Sequence, residues 1–453
     1  MKISPYTSYR KVTLPWLKEV PAHWLNSRIK FSTYVKGRVG WHGLNSSEFL
    51  TEGEFYLITG TEFIKKEVHW NKCYRISEER YEEDPYIQLK ENDLLITKDG
   101  TIGKLAIVKN LPGKSSVNSG VFVTRPLRKE YDTNFMYYIL SSQLFTEFIN
   151  INKTGTTINH LYQETFENFE YFFPPTIDEQ QTITTFLDMK TAQVDNLIAE
   201  KEKLLKLLEE KRIAIITHAV TKGLDADVKM KPSGIDWLGD IPEHWDIRKV
   251  NHLFETIGSG TTPKSDNIEY YDGDIPWVTT SELREEEIFD TVNKLTDLAL
   301  VDYSTLRYYN VGSVAIAMYG ATIGRLGIFR IKATVNQACC VFDKSDDIFN
   351  KYFYYWLLMA KPVLISLSSG GGQPNLNQEQ LKQIRITCPG MKEQLEIVEY
   401  LDTKIKYSIE LENSVKSAIE KLKEYRISLI TSAVTGKIDV RNFVQEPGNE
   451  KVH

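Results

Sequence analysis

The sequence predicts a mixed α/β (α+β) globular fold present in two copies. The copies are separated by two long helices that form an antiparallel coiled coil, and the whole carries an internal pseudo-two-fold repeat. Three observations lead there. The chain matches itself at a nearly constant shift, each copy ends in a long stretch free of glycine and proline, and the rest alternates short apolar runs with glycine turns. At roughly 100 to 200 residues per domain, 453 residues allow two to four domains, enough to bury ordinary cores.

The repeat comes first because it decides architecture. Trp16-Leu-Lys-Glu-Val-Pro-Ala-His-Trp24 returns as Trp237-Leu-Gly-Asp-Ile-Pro-Glu-His-Trp245, a shift of 221 residues. Thr101-Ile-Gly-Lys-Leu-Ala-Ile107 returns at the same shift as Thr322-Ile-Gly-Arg-Leu-Gly-Ile328. The shift then contracts to 214: Glu179-Gln180, Ile183 and Leu187-Asp188 reappear as Glu393-Gln394, Ile397 and Leu401-Asp402, and Arg212-Ile-Ala-Ile-Ile-Thr-His-Ala-Val-Thr221 as Arg426-Ile-Ser-Leu-Ile-Thr-Ser-Ala-Val-Thr435.

Residues 177–221 read as one helix, with Leu187, Val194, Leu208 and Ile215 at heptad-like spacing and Leu197 and Leu204 between them. Pro174-Pro175 halts the preceding strand, and Thr176 with Glu179 predicts a capping box. The second copy, 391–435, starts after Pro389-Gly390. It carries Leu401, Val415, Leu422 and Leu429 on one register and Ile397, Leu411 and Ala418 on the other. About 45 residues at 1.5 Å each make a rod of roughly 67 Å, too long for one domain to bury, so the two stripes are expected to cover each other. Gly223 and Gly436 close the helices. The expected division is a first globular unit over 1–175, a helix over 176–222, a linker over 223–240, a second unit over 241–389, a helix over 390–436 and a flexible tail over 437–453. Within the units, Asp93–Thr97 and Ser313–Ala317 are candidate strands leading into the repeated Thr-Ile-Gly turn.

Composition excludes several classes. At 42% hydrophobic and 26% charged residues the chain is not disordered over most of its length, and no apolar run approaches the roughly 18 residues of a membrane span. The basic start, without an apolar stretch behind it, argues against a signal peptide and for a cytoplasmic product. Four cysteines without a CxxC pair suggest neither disulfides nor zinc. A net charge of −6, with no strongly basic segment, argues against non-specific polyanion binding.

Catalytic signatures are absent. Gly258-Ser-Gly-Thr-Thr-Pro263 lacks the Gly-Lys-Ser/Thr ending of a phosphate-binding loop, and Phe173-Pro-Pro-Thr176 lacks the flanking residues of an amino-methyltransferase tetrapeptide. His23 and His244 have no companion at metal spacing and read as packed against Trp24 and Trp245. Acidic clusters such as Glu285-Glu-Glu287 read as solvated faces. No cofactor and no metal is expected. What remains are polar, glycine-flanked loops suited to base edges and phosphates. Their candidate DNA-binding residues are Lys36, Arg38, His42, Lys98, Lys153, Thr156, Asn159 and His160 in the first unit. In the second they are Thr262, Lys264, Thr280, Arg284, Tyr319, Gln373, Asn375 and Asn377.

These motifs, in this order in both halves, resemble the specificity subunit of type I restriction-modification systems: Trp-Leu-Gly-Asp-Ile-Pro-Glu-His-Trp245, Gly-Ala-Thr-Ile-Gly324, Gly-Gln-Pro-Asn-Leu-Asn377, Glu393-Gln394 and Leu401-Asp402. The resemblance covers nearly the whole chain. It implies two target recognition domains, each reading one half of a split site in double-stranded DNA, with paired helices acting as a ruler. It also implies a chain without catalytic activity that recruits two adenine methyltransferase subunits and two motor and nuclease subunits, with the Arg212 and Arg426 segments docking the methyltransferase. The first unit departs from the pattern, with Ala22 where the second has Glu243, and Gly-Thr-Thr-Ile-Asn-His160 where the second has Gly-Gly-Gln-Pro-Asn-Leu-Asn377. A protein-binding scaffold with two repeated adaptor domains is the alternative reading.

Overall fold

Short apolar runs bounded by turns become strands, and the innermost are buried on both faces. Leu94–Thr97 and Val314–Ala317 are buried at every position, within the stretches expected to be strands. In the computed structural model, residues 4–38, 43–152, 160–366 and 375–443 are described. The chain divides into two units: Met1–Lys201 with Ser417–His453, and Glu202–Lys416.

The first unit holds a six-stranded sheet in the order Thr33–Gly37, Val121–Pro126, Leu94–Thr97, Leu105–Ile107, Glu67–Val68, Phe63–Ile64. The second holds a five-stranded sheet in the order Ile257–Gly258, Cys339–Phe342, Val314–Ala317, Leu326–Phe329, Glu286–Ile288. The correspondence extends to strand direction. Val121–Pro126 and Cys339–Phe342 are each antiparallel to both neighbours. Leu105–Ile107 and Leu326–Phe329 are each antiparallel on one side and parallel on the other. A three-stranded sheet accompanies each: Ser115–Val117, Phe55–Ile58, Tyr74–Ile76 in the first unit, and Thr334–Val335, Tyr271–Val278, Lys294–Leu295 in the second.

The long helices run Ile177–Lys222 and Met391–Val434, within a residue of the sequence expectation. Each unit contains part of both. In the first, Ile183, Phe186 and Leu187 share a core with Leu429, Ile430, Ala433 and Val434, and further along Arg426 grips Asp195 through Nε and Nη2 at 2.8 and 3.2 Å. In the second, Ile216, Ala219 and Val220 share a core with Ile397, Val398 and Leu401, and Arg212 pairs with Glu412 at 3.3 Å. Rising numbers on one helix meet falling numbers on the other in both units, so the pairing is antiparallel. Each buried Leu or Ile on these faces contributes about 1.5–3 kcal/mol. Leu197 and Leu204, expected on the seam, are instead exposed, as is Leu207.

The repeated motifs fasten helix ends. Trp24 and Trp245 are buried, and each indole Nε1 donates to the glutamate opening a long helix: Trp24 to Glu179 at 3.2 Å and Trp245 to Glu393 at 3.0 Å. His23 and His244 meet the same carboxylates at 3.1 and 2.9 Å. The capping box is therefore only half formed. Thr176 Oγ1 accepts from the Glu179 amide at 3.4 Å, while the Glu179 carboxylate turns away to His23, Trp24 and Tyr6. The adjacent Gln180 and Gln394 are fully buried. The Gln180 amide donates to Glu130 and Pro174 carbonyls and accepts from the Asp132 amide, and Gln394 repeats this with Asp347, Pro389 and Phe349. Gly223 and Gly436, at φ of 79° and 70°, close the helices against Trp245 and Trp24 respectively, where the left-handed backbone suits glycine.

Candidate nucleic-acid interface

One loop frame is built twice. In the first unit the Lys98 amide donates to the Gly120 carbonyl and the Leu161 amide to the Lys98 carbonyl, both at 2.8 Å. In the second, Met318 makes the same two bonds with Ala338 and Leu376 at 2.8 Å. One position on, isolated bridges join Asp99 to His160 and Tyr319 to Asn375. Beside each pair, a strand ends at Ile58 or Val278, whose carbonyl accepts from Asn118 at 2.8 Å or Asn336 at 3.1 Å. Each strand continues into a hydroxyl-rich turn closed by a glutamate. Glu62, almost wholly buried, accepts from the Thr59 and Gly60 amides at 3.1 and 3.0 Å, and Glu282 accepts from the Thr279 amide at 2.8 Å. A buried carboxylate such as Glu62 needs such donors, and the half-buried Glu282 repeats the arrangement.

The side chains on this frame differ. In the first unit the His160 imidazole contacts the Asp99 carboxylate and packs edge-on against the exposed Tyr162. The Lys98 ammonium sits 4.9 Å from the Phe122 ring centroid, and burial holds its pKa below the usual lysine value, with Asp99 opposing. In the second unit Tyr319 donates its hydroxyl to the Gln337 carbonyl at 2.8 Å, and Thr262 donates to the Gln337 side-chain oxygen at 2.5 Å. Burial raises the Tyr319 hydroxyl, which stays protonated and donating at neutral pH.

Of the sequence-derived candidates, the structure brings together Lys98 with His160, and Thr262 with Tyr319 and Asn375. Thr280 and Arg284 share the turn of Thr279–Glu282, where Arg284 Nε donates to the Ser281 carbonyl at 3.0 Å. Lys36 is exposed on the edge strand Thr33–Gly37, and Lys264 is exposed with its amide on the Tyr303 hydroxyl at 3.1 Å. Two candidates are committed within the fold. Arg38 is fully buried, its Nε on the Val117 carbonyl at 3.3 Å and its Nη1 3.5 Å from Glu83, with burial lowering its pKa. Asn377 caps the helix Gln378–Gln383, accepting from the Gln380 amide at 2.8 Å. His42, Lys153, Thr156, Asn159 and Gln373 lie outside the described residues. Gln337, Asp99 and the Thr59–Glu62 turn escaped the sequence reading. For Gln337 the signal is the pair Ser116-Val-Asn-Ser119 and Thr334-Val-Asn-Gln337, and for the turn it is Thr59-Gly-Thr-Glu62 beside Thr279-Thr-Ser-Glu282.

A groove of about 710 Å³ in the second unit is lined by paired charges: Lys361 with Glu285, Arg212 with Glu412, and Lys351 with Glu287. Among the described residues no group of three His, Cys, Asp or Glu side chains could hold a metal, and no helix is long and apolar enough to cross a membrane.

A fold doubled sheet for sheet, carrying one loop frame twice under different side chains, defines a tandem-module protein whose modules diverge at their exposed tips. The model of the type I restriction modification DNA specificity domain matches residues 44–210 and 242–421, and the chain belongs to that family. It is 28% identical to the type I restriction enzyme MjaVIII specificity subunit of Methanocaldococcus jannaschii, over 94% of this chain and 95% of that one. It is 27% identical to the EcoBI specificity subunit of Escherichia coli, over 70% and 68%. Two solved chains share the fold. One comes from work on complex assembly and conformational transition of the type I R-M system (TM-score 0.70, 15% identity, 92% of this chain and 99% of that one). The other is the HsdS subunit from Thermoanaerobacter tengcongensis (TM-score 0.51, 14% identity, 92% and 98%).

Proposed function

We propose that this chain is the DNA-recognition subunit of a type I restriction-modification complex, with residues 1–175 and 241–389 each reading one half of an asymmetric split site. The single observation carrying this is the shared loop frame, where Asp99 and His160 stand in one unit and Tyr319 and Asn375 in the other. Equal frames dock equally on two stretches of duplex; unequal side chains then select unequal bases. The helices at 176–222 and 390–436 set the spacing between half-sites. They also offer each of two methyltransferase subunits a site, with exposed Leu204, Leu207, Tyr400 and Tyr407 among the apolar groups available. Two motor and nuclease subunits complete the assembly, which acts in the cytoplasm. The chain itself performs no catalysis and uses no cofactor.

With a net charge of −6 the isolated chain offers little counterion release, so partner subunits supply much of the affinity. A mobility shift on duplex DNA is expected to be weak with the chain alone and strong once methyltransferase subunits are added. Mapping adenine methylation in the host with and without this chain should show one split motif disappearing. Tight binding by the chain alone with a steep salt slope, or an unchanged methylation map, would overturn the reading.

A further inference from the structure

Gln337 is an exposed amide of the second unit that the fold holds from three sides. Its backbone lies in a turn that Asn336 closes: the Asn336 side chain accepts from the Ala338 amide at 3.1 Å, and its carbonyl accepts from the Cys339 amide at 3.3 Å. Tyr319 donates to the Gln337 backbone carbonyl, and Thr262 donates to the side-chain oxygen. Thr262 reaches it because Gly260 lies against this turn. A Cβ on Gly260 would come within 1.8 Å of the Val335 carbonyl oxygen, so only glycine lets the Gly258–Pro263 segment run so close. The glycine motif that failed as a phosphate loop thus has another use. The Gln337 Nε2 amide has no partner among the described residues, and its oxygen keeps a second lone pair.

We infer that Gln337 is the base-reading amide of the second recognition domain, selecting adenine at one position of one half-site. The inference rests on the DNA-recognition reading above. A glutamine whose Nε2 donates and whose oxygen still accepts matches adenine N7 and the N6 amino group. Thr262 holds the end of the side chain in place, so its rotamer is set before DNA arrives. The corresponding position of the first domain is Ser119, too short to present the same pair, consistent with a different base read there.

The test uses the chain assembled with its methyltransferase subunits in a host otherwise free of adenine methylation, with methylated sites mapped genome-wide. Gln337→Ala should relax preference at one base pair of one half-site by roughly tenfold to a hundredfold and leave the other half untouched. Gln337→Glu, nearly isosteric, should shift that position toward cytosine, whose amino group a carboxylate accepts. Thr262→Val should relax the same position to a smaller degree. The assignment is overturned if the assembled variants keep the original motif, or if Thr262→Val and Gln337→Ala alter different positions. If the unaltered chain directs methylation to no split motif, the DNA-recognition reading itself fails, and the assignment with it.

Discussion

Gln180 and Gln394 show how a residue's chemistry is set by what surrounds it. Each is a fully buried amide that satisfies two carbonyls and one backbone N–H at the start of a long helix, in a turn no secondary structure could complete. Gln180→Ala would leave the Asp132 amide and two carbonyls without partners, and is expected to destabilise the first unit by about 2–5 kcal/mol. Urea unfolding monitored by hydrogen exchange in each unit would check this, with the loss confined to Met1–Lys201 and Ser417–His453. Gly260→Ala presses a methyl on backbone that cannot swing aside, and should cost about 1–3 kcal/mol. Its effect on methylation should fall on the second half-site alone, read from the same methylation maps. At this scale the sequence was least legible. Arg38 and Asn377 have the right chemistry for DNA, yet a buried carbonyl cluster and a helix N-terminus claim them. Residue type names the hydrogen bonds a side chain makes; only the fold names the partner.

Elements were easier to read, because periodicity reports on many residues at once. Helix ends came within a residue, since glycine at φ of 79° and 70° and proline before each start are local signals. The seam was read less well. The seven-residue count begun at Leu187 holds, with Val194 buried and Leu208 and Ile215 half-buried, whereas Leu197 and Leu204 between them lie off that stripe. Residues 188–214 belong to neither unit's main core, and within them Leu197, Leu204 and Leu207 are left exposed. The ion pairs mark the register instead. Arg426 and Asp195 are about a third exposed, so solvent screening keeps their contribution near 0.5–1 kcal/mol. Arg426→Asp should destabilise the pairing in the first unit by about 1 kcal/mol. Asp195→Arg added to it should restore most of that loss, and a double-mutant cycle in urea would measure the coupling. No recovery in the double variant would place the stability of this register in the apolar contacts.

At the scale of the whole molecule, the repeat was fully legible because it needs no physics beyond self-comparison, and the structure repeats it sheet for sheet. Its functional consequence is modularity. Each unit carries its own tryptophan, glutamate and glutamine fastening, and its own loop frame. Specificity is therefore expected to travel with the unit. Exchanging residues 241–389 for the corresponding domain of a relative should replace one half of the methylated motif and leave the other half unchanged. The junctions fall inside β-paired Asp240–Pro242 and just before the helix at Met391, so Trp245 and Thr387, which contact the flanking segments, come from the donor and need their environment matched. The readout is the methylation map of the chimera assembled with the original methyltransferase. If a folded, assembled chimera alters both halves of the motif, bases are read by the two units jointly, and the doubling of the fold reflects assembly symmetry alone.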